Sequence, residues 1–292
     1  MKALIVGASG QLGSELARSA PAGVTLACRT EAELDIKDRA AVFRAVTTER
    51  PAILFNAAAY TAVDAAESNR EAAFAVNATG AESVALAGRE VGARVVHVST
   101  DFVFSGEANR PYRPDDTTAP LGVYGQSKLA GEQLVLAATA GRALVVRTSW
   151  LYSSHGHNFV KTMLRLMRER DHLRVISDQV GTPTWARGLA TALWSLARAP
   201  DAAGVQHWSD AGVASWYDFA VAIAEEALSL GLLERAVAVE PIRTEDYPTP
   251  ARRPAYSVLD KTSTWEILGA KSPHWRAGLR GVLGELAAES GR

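Results

Sequence analysis

Short, wholly apolar runs alternate with stretches of helical period through the first half of this chain. Ala3-Leu4-Ile5-Val6 reads as a buried strand, and Leu12, Leu16 and Ser19/Ala20 set a helical period behind it. The alternation continues, with strands expected at Val24–Cys28, Ala52–Asn56, Arg94–Val98 and Ala143–Arg147. Helices are expected over Arg39–Thr48, Ala72–Val91 and Tyr124–Ala138. Apolar strands separated by helices predict a parallel sheet covered on both faces. That is the α/β class with a doubly wound, Rossmann-like sheet.

The rhythm loosens after Trp150. Helical patterns cover Phe159–Arg170, Trp185–Ala199, Trp216–Leu230 and His274–Glu289, joined by loops rich in Pro, Gly and Trp. The expected division is a first domain over residues 1–150 and a smaller, mixed C-terminal lobe over 151–292, packed against the C-terminal strand edges where ligands of open sheets bind. A segment near Arg174 to Gln179 is expected to return to the first sheet.

Composition narrows the classes. The chain has 292 residues, 48% of them hydrophobic, enough for one large or two modest cores. Thirty-one basic residues balance 32 acidic ones for a net charge of −1, which lacks the basic surplus of a nucleic-acid binder. No apolar run approaches the roughly 20 residues of a membrane span, and the first strand begins without a signal-peptide layout. Cys28 is the single cysteine, so no internal disulfide forms, and a cytoplasmic location is the expectation.

Gly7-x-x-Gly10-x-x-Gly13 follows the first strand and opens a helix. The first glycine permits the turn, the second admits a pyrophosphate close to the backbone, and the third lets helix pack on strand. Phosphate then meets the free N–H groups of a helix N-terminus. The first domain is therefore read as dinucleotide-binding. Arg29 follows the second strand, where an arginine can take a 2′-phosphate and favours NADPH over NADH; the alternative is a solvated loop charge. Asp35 and Ile36 are placed at the adenine border, and Asn56-Ala57-Ala58-Ala59 offers small residues where cofactor passes close to backbone or where helices pack.

Tyr124 and Lys128 lie four residues apart on one face of a helix. Upstream, the fourth strand runs on into Ser99-Thr100. Reducing a carbonyl needs a hydride donor and a proton donor. A tyrosine titrates near pH 10, and positive charge from a lysine and a nicotinamide is expected to lower that. Tyr124 is the candidate general acid, Lys128 its tuner and a ribose contact, and Thr100 a hydrogen-bond donor to the reacting oxygen. An isolated pair of this kind would read as ordinary helix neighbours; the order of the three parts favours the enzyme.

Other positions carry weaker signals. The six histidines show no metal-ligand spacing, and no metal-binding residue is assigned. Trp185, Trp194, Trp208, Trp216 and Trp265 read as packing residues, whereas Trp150 follows a strand end and is a candidate sugar or base contact. Asp101 binds a substrate hydroxyl or caps the next turn. Arg252-Arg253-Pro254 is a candidate pyrophosphate clamp, since guanidinium forks match phosphate oxygens.

Gly7 to Gly13, Asn56 to Asp64, Val76-Asn77, Ser99-Thr100-Asp101-Phe102-Val103-Phe104 and Tyr124 to Lys128 resemble the extended short-chain dehydrogenase/reductases. Within these the chain is most similar to the dTDP-4-dehydrorhamnose reductase family; Asp178-Gln179-x-Gly181-x-Pro183-Thr184 and Arg252-Arg253-Pro254 extend the likeness over almost its full length. The resemblance implies reduction of the C4 ketone of dTDP-4-dehydro-L-rhamnose by NADPH, with NADH as an alternative donor. It implies Thr100, Tyr124 and Lys128 as the catalytic set. Gly7, Gly10, Gln11, Leu12, Arg29, Asp35, Ile36, Ala59, Tyr60 and Thr61 line the cofactor in that reading. Thr100, Asp101, Trp150 and Arg253 meet the dTDP-sugar. Related dehydratases carry Asp-Glu after the threonine; here Phe102 follows Asp101, against dehydration.

Some members of the resembled family form a dimer around a magnesium ion held by glutamates. Glu15 matches one ligand, but Arg187 stands where those members carry another glutamate, which argues against the ion. The expected assembly is a monomer or a homodimer. Two rival readings share the motifs: another nucleotide-sugar reductase or epimerase, and a non-catalytic dinucleotide-binding regulatory subunit.

Overall fold

Six parallel strands form the central sheet of the computed structural model, which describes residues 1–290. The first half supplies β1 (Lys2–Val6), β2 (Thr25–Arg29), β3 (Ile53–Asn56), β4 (Arg94–Thr100) and β5 (Leu144–Thr148). The second half adds β6 (His172–Ile176), β7 (Gly204–His207) and β8 (Ala238–Ile242), of which β7 joins the main sheet. The order β7-β5-β4-β3-β1-β2 puts the reversal of winding between β1 and β3, where open α/β sheets bind ligands.

The apolar runs form strands because both faces are covered. α1 (Gln11–Arg18) and α8 (Ala186–Arg198) pack Leu12, Leu16, Leu189 and Leu193 against Ala3, Ile5 and Phe55. Trp194 joins them, edge-on to Phe55 at 4.6 Å with its indole N–H donated to the Leu16 carbonyl at 3.0 Å. On the opposite face α2 (Arg39–Glu49) and α5 (Ala81–Glu90) bring Val42, Val46, Val84 and Ala87 onto Leu4, Val6 and Leu54.

Between β3 and β4 the helical pattern is more broken than its periodicity predicts. It is built from α3 (Val63–Ser68), α4 (Arg70–Phe74), a π-helical turn over Ala75–Gly80, and α5. The wide turn meets α6 (Val123–Ala138) at Gly131, where an added Cβ would lie 2.0 Å from the Asn77 carbonyl oxygen. Only a glycine lets α6 approach the bulge that closely.

The segment expected to return to the first sheet does not. β6 alternates exposed and buried residues and pairs with β8 in a separate two-stranded sheet. Its buried Leu173 and Val175 face a second core with α7 (Phe159–Glu169), α9 (Trp216–Ser229) and α11 (Trp275–Ser290), built around Met163, Met167, Phe219, Ile223 and Leu279. The return comes from β7, and α8 before it and α10 (Thr262–Leu268) after it also pack on the first sheet's core. The 151–292 stretch thus feeds both cores.

Candidate active site

β4 ends at Thr100, and α6 begins two residues before Gly125, so Thr100 and Tyr124 meet at the C-terminal edge of the sheet. The Thr100 hydroxyl donates to Asp101 Oδ1 at 3.1 Å and accepts the Phe102 N–H at 3.2 Å. The Phe102 ring meets Tyr124 edge-on at 5.6 Å. One turn further along α6, Lys128 is 2% exposed and donates to the Val98 carbonyl at 2.7 Å.

Burial dominates the protonation of this group. It pushes the Tyr124 phenol up to about 12, with the Asp101 carboxyl acting the same way and the Thr100 hydroxyl opposing. The partly open ring tempers that effect. The expected lowering by Lys128 is not seen, because the ammonium is directed to Val98 and is itself pushed down to about 8 by burial. Asp101 rises to about 6 for the same reason, against the pull of the Ser257 and Thr100 hydroxyls. Its Oδ2 has no hydrogen-bond partner. The phenol is therefore a held proton, as a general acid requires, and Asp101 offers an open acceptor.

The glycine turn is tight at Gly7 and Gly13, where only glycine fits. Gly7 has φ +82°, and a Cβ there would lie 2.6 Å from the Ala58 amide nitrogen; a Cβ on Gly13 would lie 2.2 Å from the Gly7 carbonyl oxygen. The turn and the segment following Asn56 enclose a cavity of about 340 Å³ at the winding reversal. Gly7, Gly10, Asp35, Ile36, Ala59, Tyr60 and Thr61 line it, together with Glu31. Five residues expected to contact the cofactor lie outside that lining: Tyr124 and Lys128 on α6, and Leu12, Gln11 and Arg29. Leu12 is 5% exposed in the core. Gln11 faces the 153–158 loop, accepting from Asn158 at 2.9 Å and Ser153 at 3.2 Å. Arg29 is drawn back to Glu49 and the Cys28 carbonyl.

The substrate-side residues divide similarly. Trp150 adopts a left-handed φ of +45°, rare for a bulky residue. Its ring stacks face to face on Trp216 at 3.5 Å and lies over Gly181, where a Cβ would come within 2.6 Å. Arg253 is engaged with Asp64, donating through Nη2 at 2.7 Å and Nη1 at 3.1 Å, and with Thr249 at 2.6 Å. A clamp on pyrophosphate would have to share it with that carboxylate. Its neighbour Pro254 packs on Gly106, so the loop reaches the segment following Thr100.

Glu15 sits fully buried between two guanidinium groups, with Arg18 at 3.1 Å and Arg187 at 3.0 Å. Arg187 also holds Glu285 at 2.5 Å. A cation site at these carboxylates does not fit, because their lone pairs face arginine. Among the described residues no cluster of three or more His, Cys, Asp or Glu side chains could hold a metal.

The sequence profile described as the RmlD substrate binding domain matches residues 1–288. The dTDP-4-dehydrorhamnose reductase of Escherichia coli (strain K12) is 43% identical over 294 residues, covering 98% of both chains. The chain belongs to this family. The dTDP-4-dehydrorhamnose reductase family also includes similar solved structures. That from Clostridium acetobutylicum has a TM-score of 0.91 at 38% identity, covering 98% of this chain and 99% of that one. The Bacillus anthracis reductase, solved in complex with NADP, has a TM-score of 0.91 at 37% identity, covering 97% and 99%. As a member of the dTDP-4-dehydrorhamnose reductase family, the protein is an oxidoreductase of the extended short-chain dehydrogenase/reductase fold.

Asn77 and Glu67, which support this reductase-family site, carried no assigned role in the sequence reading, and Trp216 was read there as a packing residue. Asn77, inside the π-helical turn, donates to Ser127 at 2.9 Å and to the Tyr60 carbonyl at 3.0 Å, and accepts the Tyr60 N–H at 2.9 Å. It ties the cofactor loop to the helix bearing Tyr124. Glu67 accepts the Val123 N–H at 2.8 Å, satisfying a free amide at the start of α6. Trp216 backs Trp150. An Asn in a helical run and a Glu after Val63-Asp64-Ala65-Ala66 were visible, but their partners lie 50 and 56 residues away.

Proposed function

We propose that this protein reduces the C4 ketone of dTDP-4-dehydro-L-rhamnose to dTDP-L-rhamnose with NADPH. The observation that carries the reading is the partly open Tyr124 between buried Thr100 and Lys128 at the C-terminal edge of the sheet that carries the glycine turn, in a chain 43% identical to a reductase of that name. NADPH supplies the hydride when bound; NADH is the alternative donor. Gly7, Gly10, Ala59, Tyr60 and Thr61 bind the dinucleotide. The C–O π bond of the ketone breaks as its carbon receives the hydride, and Tyr124 delivers the proton to the oxygen. Thr100 donates a hydrogen bond to that oxygen by turning from Asp101. Lys128 keeps positive charge near the phenolate left behind, which takes its replacement proton from solvent. Asp101 Oδ2 accepts from a sugar hydroxyl, and Trp150, held by Trp216, covers the sugar ring. The dTDP-sugar and nicotinamide chemistry accords with a cytoplasmic location, and no described helix is long and apolar enough to cross a membrane.

The direct test is oxidation of NADPH in the presence of dTDP-4-dehydro-L-rhamnose, with the product identified by NMR. Turnover of a UDP- or GDP-linked ketosugar with no turnover of the dTDP compound would replace this substrate with another of the same class.

A further inference from the structure

The edge of the sheet opposite the active site holds a second cavity, of about 250 Å³. Ala52 before β3, Arg94 at the start of β4 and Ala143 before β5 form its floor. The length of β4, from Arg94 to Thr100, separates it from the reacting groups by roughly 20 Å. Arg89, Arg94 and Arg142 converge on it, and no acidic side chain lines it.

None of these three arginines forms an ion pair among the described residues, although Glu90 adjoins Arg89 in the chain. Their hydrogen bonds go to backbone carbonyls. Arg89 donates to Ala138 at 2.8 Å, Arg142 to Thr139 at 3.3 Å, and Arg94 weakly to Arg142 and Ala199 at 3.5 and 3.4 Å. A guanidinium has five N–H donors, so most remain free. The Arg94 Nε–H is buried without any partner.

The bland account is that the arginines neutralise the C-terminal ends of α5 and α6, which meet here. Each helix end carries about half a negative charge. Two ends offset about one of the three arginines, leaving about two positive charges in a partly enclosed space. Burial already pushes the Arg94 guanidinium below its ordinary value, a cost that a bound anion would reverse.

We propose that this cavity is an anion site, separate from the active site, that takes a diphosphate group. Its charge matches a dianion or more. Its volume lies below the 300–1,000 Å³ typical of drug-sized ligands, so the ligand is small. No aromatic side chain lines it, so an attached nucleoside would gain nothing by stacking.

The test is isothermal titration of inorganic pyrophosphate into protein saturated with NADP+, so that the dinucleotide turn is filled, in metal-free buffer. The expected result is sub-millimolar binding, with orthophosphate at least about tenfold weaker. Arg89 and Arg142 are exposed, so Arg89→Gln/Arg142→Gln is expected to fold normally. It should keep wild-type NADPH turnover and lose pyrophosphate affinity by at least about tenfold. Absence of binding at several millimolar, equal affinity for orthophosphate, or unchanged affinity in the double variant would each overturn the proposal. The last outcome would place the anion in the substrate's own diphosphate subsite.

Discussion

Arg187 Nε donates to Glu15 Oε2 across 3.0 Å, and the receiving carboxylate is fully buried. The guanidinium thus sits where a cation would have to bind. A hard divalent ion needs several oxygen ligands, and the Glu15 and Glu285 oxygens are already shared among Arg18, Arg187 and Ser154. Excess EDTA is therefore expected to change neither the mass in light scattering nor the NADPH turnover. A chelator-dependent loss of mass would show that other carboxylates complete a metal site. Arg187→Ala should cost about 1–3 kcal/mol in urea unfolding, less than a fully buried pair because Arg18 remains.

Replacing Tyr124 by Phe keeps the ring against Phe102 and removes the held proton. Turnover should fall about 100-fold or more, the usual effect of losing a general acid, while NADPH binding measured by fluorescence is retained. Near wild-type turnover would remove Tyr124 from the role.

The sheet was largely legible in the sequence because Ala3-Leu4-Ile5-Val6 and its counterparts are apolar on both sides. The return strand was not: Gly204-Val205-Gln206-His207 is an edge strand with polar residues and no buried run. Conversely, His172 to Ile176 alternates because one face of it meets a different core. Motif spacing singled out Thr100, Tyr124 and Lys128, which lie at the end of β4 and in the first turns of α6. It could not show which partners compete for long polar side chains, and Arg29, Gln11 and Arg253 are each engaged by groups 20 to 189 residues away. Nor could composition reveal that burial raises the Tyr124 phenol while Lys128 directs its ammonium to the Val98 carbonyl.

The Arg29–Glu49 pair makes the cofactor preference testable from both sides. Glu49 also holds Lys2 at 2.6 Å, so it can release Arg29 without being stranded. Arg29→Ala should weaken NADPH by roughly 1–2 kcal/mol, below the full range for charged hydrogen bonds because the pair must open first, and leave NADH unchanged. Glu49→Gln should shift preference toward NADPH. Equal effects on both cofactors would make Arg29 structural.

Asn77→Ala leaves the Tyr60 N–H and carbonyl without their partner. Each unmet group costs about 1–3 kcal/mol when water cannot replace the bond. Thermal unfolding and the NADPH dissociation constant should both worsen. Loss of stability alone, with unchanged cofactor affinity, would separate the π-helical turn from the site.

Asp210 is fully buried, and burial raises its carboxyl to about 7 against the opposing Trp185 N–H and Lys261 charge. The unfolded chain releases that proton near the ordinary aspartate value of 3.8. Between those values the folded state holds more protons, so this group's contribution to stability falls as pH rises from about 4 to about 7. Urea midpoints across that window should fall less steeply for Asp210→Asn than for wild type. Parallel slopes would contradict the assignment.

The central claim is tested most directly by mixing enzyme, NADPH and dTDP-4-dehydro-L-rhamnose and following absorbance at about 340 nm while the product is resolved by NMR. This account predicts one NADPH consumed per dTDP-L-rhamnose formed, and loss of both signals in Tyr124→Phe. NADPH consumption without a C4 alcohol in the product, or full turnover in that variant, would contradict it.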